Sequence, residues 1–156
     1  MSEMQIVFEL TLHIRKPPQH VRSWWTDFPE DYIAKDPTEQ PFRIITKKKT
    51  SSGKELQTFW RLPDGSVREQ FEIMQVKQDG SWTFEIPNHS LGFHILDEFS
   101  VESKNEEKET ILHIHSTITP NPSIPYSEAK PRLETLSKSM GTVWRRAAEI
   151  CEQDTQ

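Results

Sequence analysis

The chain reads as an α+β protein in which a curved, seven-stranded antiparallel sheet folds around one long C-terminal helix, with two short helical segments after the first strand. Three observations predict this. Residues 4 to 14 alternate apolar and polar with the period of a half-buried strand. Six strand-like runs separated by turn chemistry fill residues 42 to 119. From Ser127 onward, apolar residues recur at three- and four-residue steps.

In the first strand Met4, Ile6, Phe8, Leu10, Leu12 and Ile14 alternate with Gln5, Glu9, Thr11 and His13. Pro17-Pro18 ends it, and His20 to Phe28 reads as a short helix carrying the adjacent indoles Trp24 and Trp25. Pro29 stops that helix, and Tyr32 to Lys35 is expected to form a second turn before Pro37 and Pro41. The six later strands are expected at about Phe42 to Thr50, Glu55 to Leu62, Val67 to Lys77, Trp82 to Ile86, Phe93 to Ser103 and Thr110 to Thr119. PDGS at 63 to 66, QDGS at 78 to 81, PNHSLG at 87 to 92 and KNEEKE at 104 to 109 separate them.

Asp79-Gly80 is the strongest hairpin signal, because a two-residue turn needs positive φ at both central positions. Such a turn sets Lys77 opposite Trp82, Gln75 opposite Phe84 and Ile73 opposite Ile86. Closing PDGS with Leu62 opposite Val67 sets Trp60 against Glu69, Thr58 against Phe71 and Leu56 against Ile73. Pairing Phe93 with Ile86 and Val101 with Leu112 keeps the large apolar residues on one inner face, as an antiparallel meander requires. In the terminal helix, capped at Ser127, the apolar stripe runs through Ala129, Leu133, Leu136, Met140, Val143, Ala147 and Ile150. Pro131 is tolerated only near its first turn.

A chain of 156 residues is the size of one domain, 1-156, with its core between about 4 and 151. Only 33% of residues are hydrophobic, yet fifteen are Trp, Phe or Tyr, so the core is built from few, large side chains. The formal net charge of -5 and the lack of a broad basic surface argue against nucleic acid. The Lys47-Lys48-Lys49 run is read as a solvated strand end. One cysteine, Cys151, excludes an intramolecular disulfide, and no apolar run approaches a membrane span. The expectation is a cytoplasmic protein.

The order of elements, the aromatic helix VRSWWTDF and the terminal helix SEAKPRLETLSKSMGTVWRRAAEIC together resemble the helix-grip fold of the START and Bet v 1-like (SRPBCC) superfamily. That superfamily includes polyketide cyclases, pathogenesis-related plant proteins and lipid-transfer domains. The resemblance runs from Met4 to about Cys151 and implies a cavity between sheet and helix for a hydrophobic ligand, with the short helices at its mouth or end. The glycine-rich loop GxxxxxGxG of the plant allergens is absent.

On the expected inner face, Trp60, Phe71, Trp82, Phe84, Ile95 and Phe99 surround Asp97 and Ser116, with Glu69 opposite Trp60 and Met140 facing them from the helix. One of Trp24 and Trp25 is expected to face the core and the other its rim; the simpler alternative is that both only seal the core. A carboxylate against an apolar cavity must find a partner or take up a proton, so Asp97 and Glu69 are candidates to orient a ligand or move protons. The bland reading of each is a satisfied carboxylate near the sheet end.

His113 and His115 share a strand face with Glu98 opposite His115, and His13 lies on the outer face of the first strand. Three imidazoles and a carboxylate suit zinc, but the face is the solvent one and an H-x-H spacing alone is weak, so no metal site is expected. Cys151 lies at a helix C-terminus, where nothing activates a thiolate. No phosphate-binding, dinucleotide or nucleophile-elbow motif occurs, and no cofactor or catalytic residue is assigned.

The first functional reading is a non-enzymatic binder or carrier of a small hydrophobic or amphipathic molecule. The second is a polyketide cyclase/aromatase-like enzyme using the same cavity. The third is a protein-interaction domain with a filled core and a protein partner.

Overall fold

A computed structural model describes residues 5–27, 32–33, 43–61 and 64–153, with no description of the side chains at 32, 33, 43, 44, 60 and 61. The elements in order are β1 (Ile6–Ile14), α1 (Pro18–Thr26), β2 (Tyr32–Ile33), β3 (Arg43–Lys49), β4 (Gly53–Arg61), β5 (Val67–Val76), β6 (Trp82–His89), β7 (Phe93–Lys104), β8 (Glu109–Pro120) and α2 (Tyr126–Gln153). Seven long strands and the two-residue β2 form one antiparallel sheet in the order β1-β8-β7-β6-β5-β4-β3-β2. The expected second short helix is corrected at its start: Tyr32 and Ile33 pair with β3 as strand, and the rest of that segment lies outside the described residues.

The sheet curves around α2, whose 28 residues make a rod of about 42 Å at 1.5 Å per residue. Ala129, Leu133, Leu136 and Met140 are buried on the face toward the sheet, with Ala148 and Cys151 further along. The core has two parts. Near α1, Ile14, Val21, Trp25, Leu56, Met74 and Trp82 pack with the C-terminal half of α2; beyond it, Ile86, Phe93, Ile95 and Ile118 pack with Leu133, Leu136 and Met140.

Two expected registers are off by one residue, both against β5. At residues 77–81 the Lys77 N–H donates to the Ser81 carbonyl (2.8 Å) and the Gly80 N–H to the Lys77 carbonyl (3.0 Å). Gly80 sits at φ +87°. The connection is therefore a turn followed by a left-handed glycine, one residue longer than the two-residue turn the sequence suggested. Asp79 Oδ1 fixes it by accepting from the Ser81 N–H (2.9 Å) and hydroxyl (2.5 Å). The same device recurs at Asp64-Gly65-Ser66, with Gly65 at φ +86° and the same two bonds from Ser66 to Asp64.

Consequently Val76 pairs with Trp82 and Met74 with Phe84, while on the other side Gln70 pairs with Thr58 and Glu69 with Phe59. A shift of one residue turns a strand over. Arg68, Gln70, Glu72 and Met74 face inward; Glu69 and Phe71 face outward, Phe71 being 45% exposed. The β7–β8 register is as expected, with Asp97 beside Ser116 and Val101 beside Leu112. On its other side Asp97 lies opposite Phe84, not Trp82, because Ile86 pairs with Ile95. That two-residue difference leaves the inner face of β6 unchanged.

Candidate functional site

Phe99 is the hub of the aromatic core. Its ring stacks on Trp82 (5.4 Å between centroids, 5° between planes) and meets Phe84 and Trp144 edge to face at 5.6 and 5.2 Å. Trp25, fully buried, lies 6.2 Å away, and Trp24 abuts Trp25 at 4.9 Å from a half-buried position. So Trp25 is the inward indole and Trp24 the boundary one. At this end the space between sheet and helix is filled by rings.

Further along, between β5, β6, β7 and α2, the described residues leave a space. It is a cleft of about 50 Å³ lined by Arg68, Gln70 and Glu72 from β5, Ile86 and His89 from β6, Ile95 and Asp97 from β7, and Leu136, Ser139, Met140, Val143 and Trp144 from α2. Its apolar wall is the helix. Its polar wall is the inner face of β5 together with Asp97 and His89.

Asp97 is 2% exposed and accepts a hydrogen bond from the Ser116 hydroxyl at 2.5 Å. Burial pushes its pKa up to about 7, opposed by the Ser116 hydrogen bond and reinforced by the charge of Glu72. Burial likewise raises the pKa of Glu72, although the side chains of Thr58 and Gln70 hydrogen-bond its carboxylate and Arg68 attracts it. His89 is held neutral: burial lowers its pKa to about 4, and the charge of Arg68 acts in the same direction. The Leu91 N–H donates to His89 Nδ1 at 3.1 Å, so the proton of the neutral ring is on Nε2. Arg68 reaches the outer end of this group, where its guanidinium donates to Ser90 Oγ at 3.1 Å.

Three polar atoms on this lining make no hydrogen bond among the described residues, Gln70 Oε1, Trp144 Nε1 and Arg68 Nε, although the Arg68 guanidinium bonds through its other nitrogens. The indole N–H groups of Trp25 and Trp82 are unpartnered as well, deep in the aromatic cluster. An unpaired indole alone therefore marks no site. Gln70 Oε1 differs, being a strong acceptor in a residue only 6% exposed that lines a cleft.

Of the residues singled out from the sequence, Ile95, Asp97 and Met140 line the cleft and Ser116 holds Asp97. Trp25, Trp82, Phe84 and Phe99 are packed in the aromatic core, and Trp24 lies at its edge. Glu69 and Phe71 are on the opposite face of the sheet, where Glu69 accepts from Gln57 Nε2 at 2.9 Å. The Trp60 side chain lies outside the described residues. Sequence reasoning missed Arg68, Gln70 and Glu72 through one error of turn length, and missed His89 because an irregularity between Ile86 and His89 turns this residue inward. The Asp-Gly-Ser triplets carried the first signal; alternation alone carries none for the second.

The outer face holds a wider depression, about 580 Å³, around Glu9, Thr11, Lys77, Glu98, His113 and His115. Size does not make it the site, since its polar groups stand in solvent and engage one another in pairs. His115 Nδ1 meets Glu9 at 2.9 Å, His113 Nε2 meets Glu102 at 3.1 Å, and His13 Nε2 meets Glu109 at 3.2 Å. The three imidazoles considered for zinc thus engage three different carboxylates. No group of His, Cys, Asp and Glu with metal-holding geometry occurs among the described residues.

No protein-family model and no curated protein matches the chain. Solved structures do. The Zhui aromatase/cyclase from Streptomyces sp. R1128 superposes with a TM-score of 0.76 at 11% identity, over 98% of this chain and 97% of that one. Norcoclaurine synthase from Thalictrum flavum, in complex with dopamine and hydroxybenzaldehyde, gives 0.66 at 10% identity, over 99% and 91%. A START superfamily protein from Mycobacterium smegmatis gives 0.59 at 16% identity, over 89% and 97%. The chain therefore has the START/Bet v 1-like helix-grip fold. At these identities the likeness speaks for the fold alone. Among the described residues no helix is long and apolar enough to cross a membrane.

Proposed function

We propose that the chain binds a small amphipathic molecule in the cleft between β5–β7 and α2, with the polar end of the ligand at Asp97 and Gln70 and the apolar end against α2. The observation that carries this reading is the inner face of β5. Arg68, Gln70 and Glu72 are turned into the core while Val67 and Phe71 of the same strand face solvent. For stability alone that stretch is oriented unfavourably: turning the strand over would bury Phe71 and expose three polar groups, although it would also bury Glu69 and expose Met74. Local inconsistency of this kind is expected where a site is built. The likeness of fold to the Zhui aromatase/cyclase and to norcoclaurine synthase, the latter solved in complex with dopamine and hydroxybenzaldehyde, supports a ligand-binding use of this fold.

The volume of about 50 Å³ supports the filled-core reading as far as size goes. Against it stands the buried, unpartnered Gln70 Oε1, which an interior made only to pack would leave out. A ligand body larger than a polar headgroup requires Met140 and Val143 to move, and methionine is the side chain best suited to that. The enzymatic reading draws on Asp97: an acid with a pKa of about 7, lining the same cleft as a neutral imidazole, is matched to proton transfer at neutral pH.

Native mass spectrometry of freshly purified protein, followed by tryptophan-fluorescence titration with a panel of amphiphiles, tests the binding reading. Trp144 in the cleft wall should report binding, and Met140→Trp, which fills the cleft, should remove it. A broad panel that leaves the fluorescence of the unmodified protein unchanged would leave the filled-core alternative standing.

A further inference from the structure

The cleft carries an imbalance of charge among the described residues. Its described lining contains two buried carboxyl groups, Glu72 and Asp97, and one permanent cation, Arg68. Arg68 exerts its attraction on Glu72 and is anchored outward on Ser90. Among the described residues Asp97 is bonded by the Ser116 hydroxyl, and the charge acting on it is the repulsion of Glu72. The imidazole of His89 is neutral and offers Asp97 no charge. One buried acid is thus in excess.

Gln70 adds a second, independent indication. Its amide hydrogen-bonds to Glu72, which leaves its Oε1 as a buried acceptor without a donor. Asp97, Glu72 and Gln70 Oε1 are therefore three acceptors on one small cleft, together one charge short. A protonated primary amine supplies three N–H donors and one positive charge. Trp144, whose ring packs on Phe99 and which also lines the cleft, offers an aromatic surface of the kind that attracts cations.

Resting on the reading of this cleft as a ligand site, we infer that its ligand is an amphipathic amine, bound as the ammonium against Asp97 and Gln70 with its apolar body along Met140, Val143 and Trp144. The cleft volume of about 50 Å³ suits an ammonium group, which is about the size of a water molecule. A carboxylate or phosphate headgroup could accept from the Arg68 Nε–H, but it would face two buried acids with a single guanidinium whose charge Glu72 already attracts. A neutral alcohol would leave the proton on Asp97 and gain no charge interaction. Arg68 does not forbid the ammonium, because Glu72 already matches its charge. Below neutrality the exchange is balanced: the ammonium enters and the Asp97 carboxyl releases its proton to the buffer.

The test titrates the unmodified protein with 4-phenylbutylamine, 4-phenylbutan-1-ol and 4-phenylbutanoate by calorimetry, near pH 6 and near pH 8, in buffers of different ionisation enthalpy. The amine should bind at least about tenfold more tightly than the alcohol at the higher pH. Near pH 6 it should bind several-fold more weakly and release close to one proton per molecule bound. Asp97→Asn should abolish the proton release and the preference for amine while retaining the alcohol. Should that variant fail to fold, the proton count on the unmodified protein decides. Equal or tighter binding of the alcohol or the carboxylate would overturn the amine inference and leave the cleft reading intact. If no headgroup binds on any body from phenylbutyl to decyl, both fall.

Discussion

Burial pushes the proton affinities of Asp97 and His89 in opposite directions, and this gives the chain a pH signature. Folded Asp97 keeps its proton up to about pH 7, whereas its ordinary pKa is 3.8. Across that interval the folded state holds more protons than the unfolded one, so Asp97 lowers stability as pH rises. His89 does the reverse. Its folded pKa is about 4 against an ordinary 6.5, so the unfolded state holds the extra proton and stability rises with pH. Each slope is at most about 1.4 kcal/mol per pH unit, and the two oppose each other between about pH 4 and 6.5. Glu72, raised in the same direction as Asp97, adds to the Asp97 side. Urea midpoints should show it. Asp97→Asn, with His89 left to act, should shift the trend toward greater stability with rising pH over that range. His89→Gln should become steadily less stable. Parallel pH profiles for the two variants would contradict these assignments.

Met74 and Phe71 show at the scale of one strand what was legible and what was not. Both are large and apolar, three residues apart on β5, and alternation alone favoured the face holding Phe71 and Ile73. The Asp-Gly-Ser turns at both ends of β5 outweighed that pattern, because the Asp carboxylate binding the Ser N–H and hydroxyl fixes a longer loop than Asp-Gly by itself suggests. Strand order, the β7–β8 register, the Asp97–Ser116 pair and the helix stripe could be read because apolar period and turn position agree there. The inner face of β5 could not, since the two signals conflict and the polar lining sits on the losing side of the hydrophobic pattern. Met74→Ala should cost about 2–4 kcal/mol, since Met74 is 2% exposed, whereas Phe71→Ser should stay within about 1 kcal/mol. At Gly92 the backbone is left-handed (φ +91°), and an added Cβ would collide with Ile124 Cδ1. Gly92→Ala should accordingly destabilise by about 1–3 kcal/mol in the same urea assay.

In the whole molecule, α2 is the counterpart on which every inner-face residue depends. A twisted sheet with Ile86, Ile95, Phe99, Leu112, Ile114 and Ile118 on one face cannot be left facing water, and among the described residues no second sheet covers it. The helix does so with both halves. Leu133, Leu136 and Met140 cover the far cluster, and Trp144, Ala148 and Cys151 close the cluster around Trp25 and Phe99. Its C-terminal end is tied to the first strand and α1 at the same time. The Arg15 N–H donates to Glu152 at 2.9 Å, and His20 Nε2 lies 3.1 Å from the Cys151 carbonyl. Ending the chain before Tyr126 removes all of these contacts together and uncovers a continuous apolar face, so the remainder should aggregate without a native near-UV signal. Ending it after Ala147 is the finer test. The far cluster and the cleft keep their helix wall, while Ala148, Cys151 and the Arg15–Glu152 tie are lost. That variant should unfold at lower temperature but retain native near-UV dichroism from Trp82 and Phe99. A chain cut before Tyr126 that still gave a sharp thermal transition with native dichroism would mean that the sheet does not need the helix, and the helix-grip account of its core would fail.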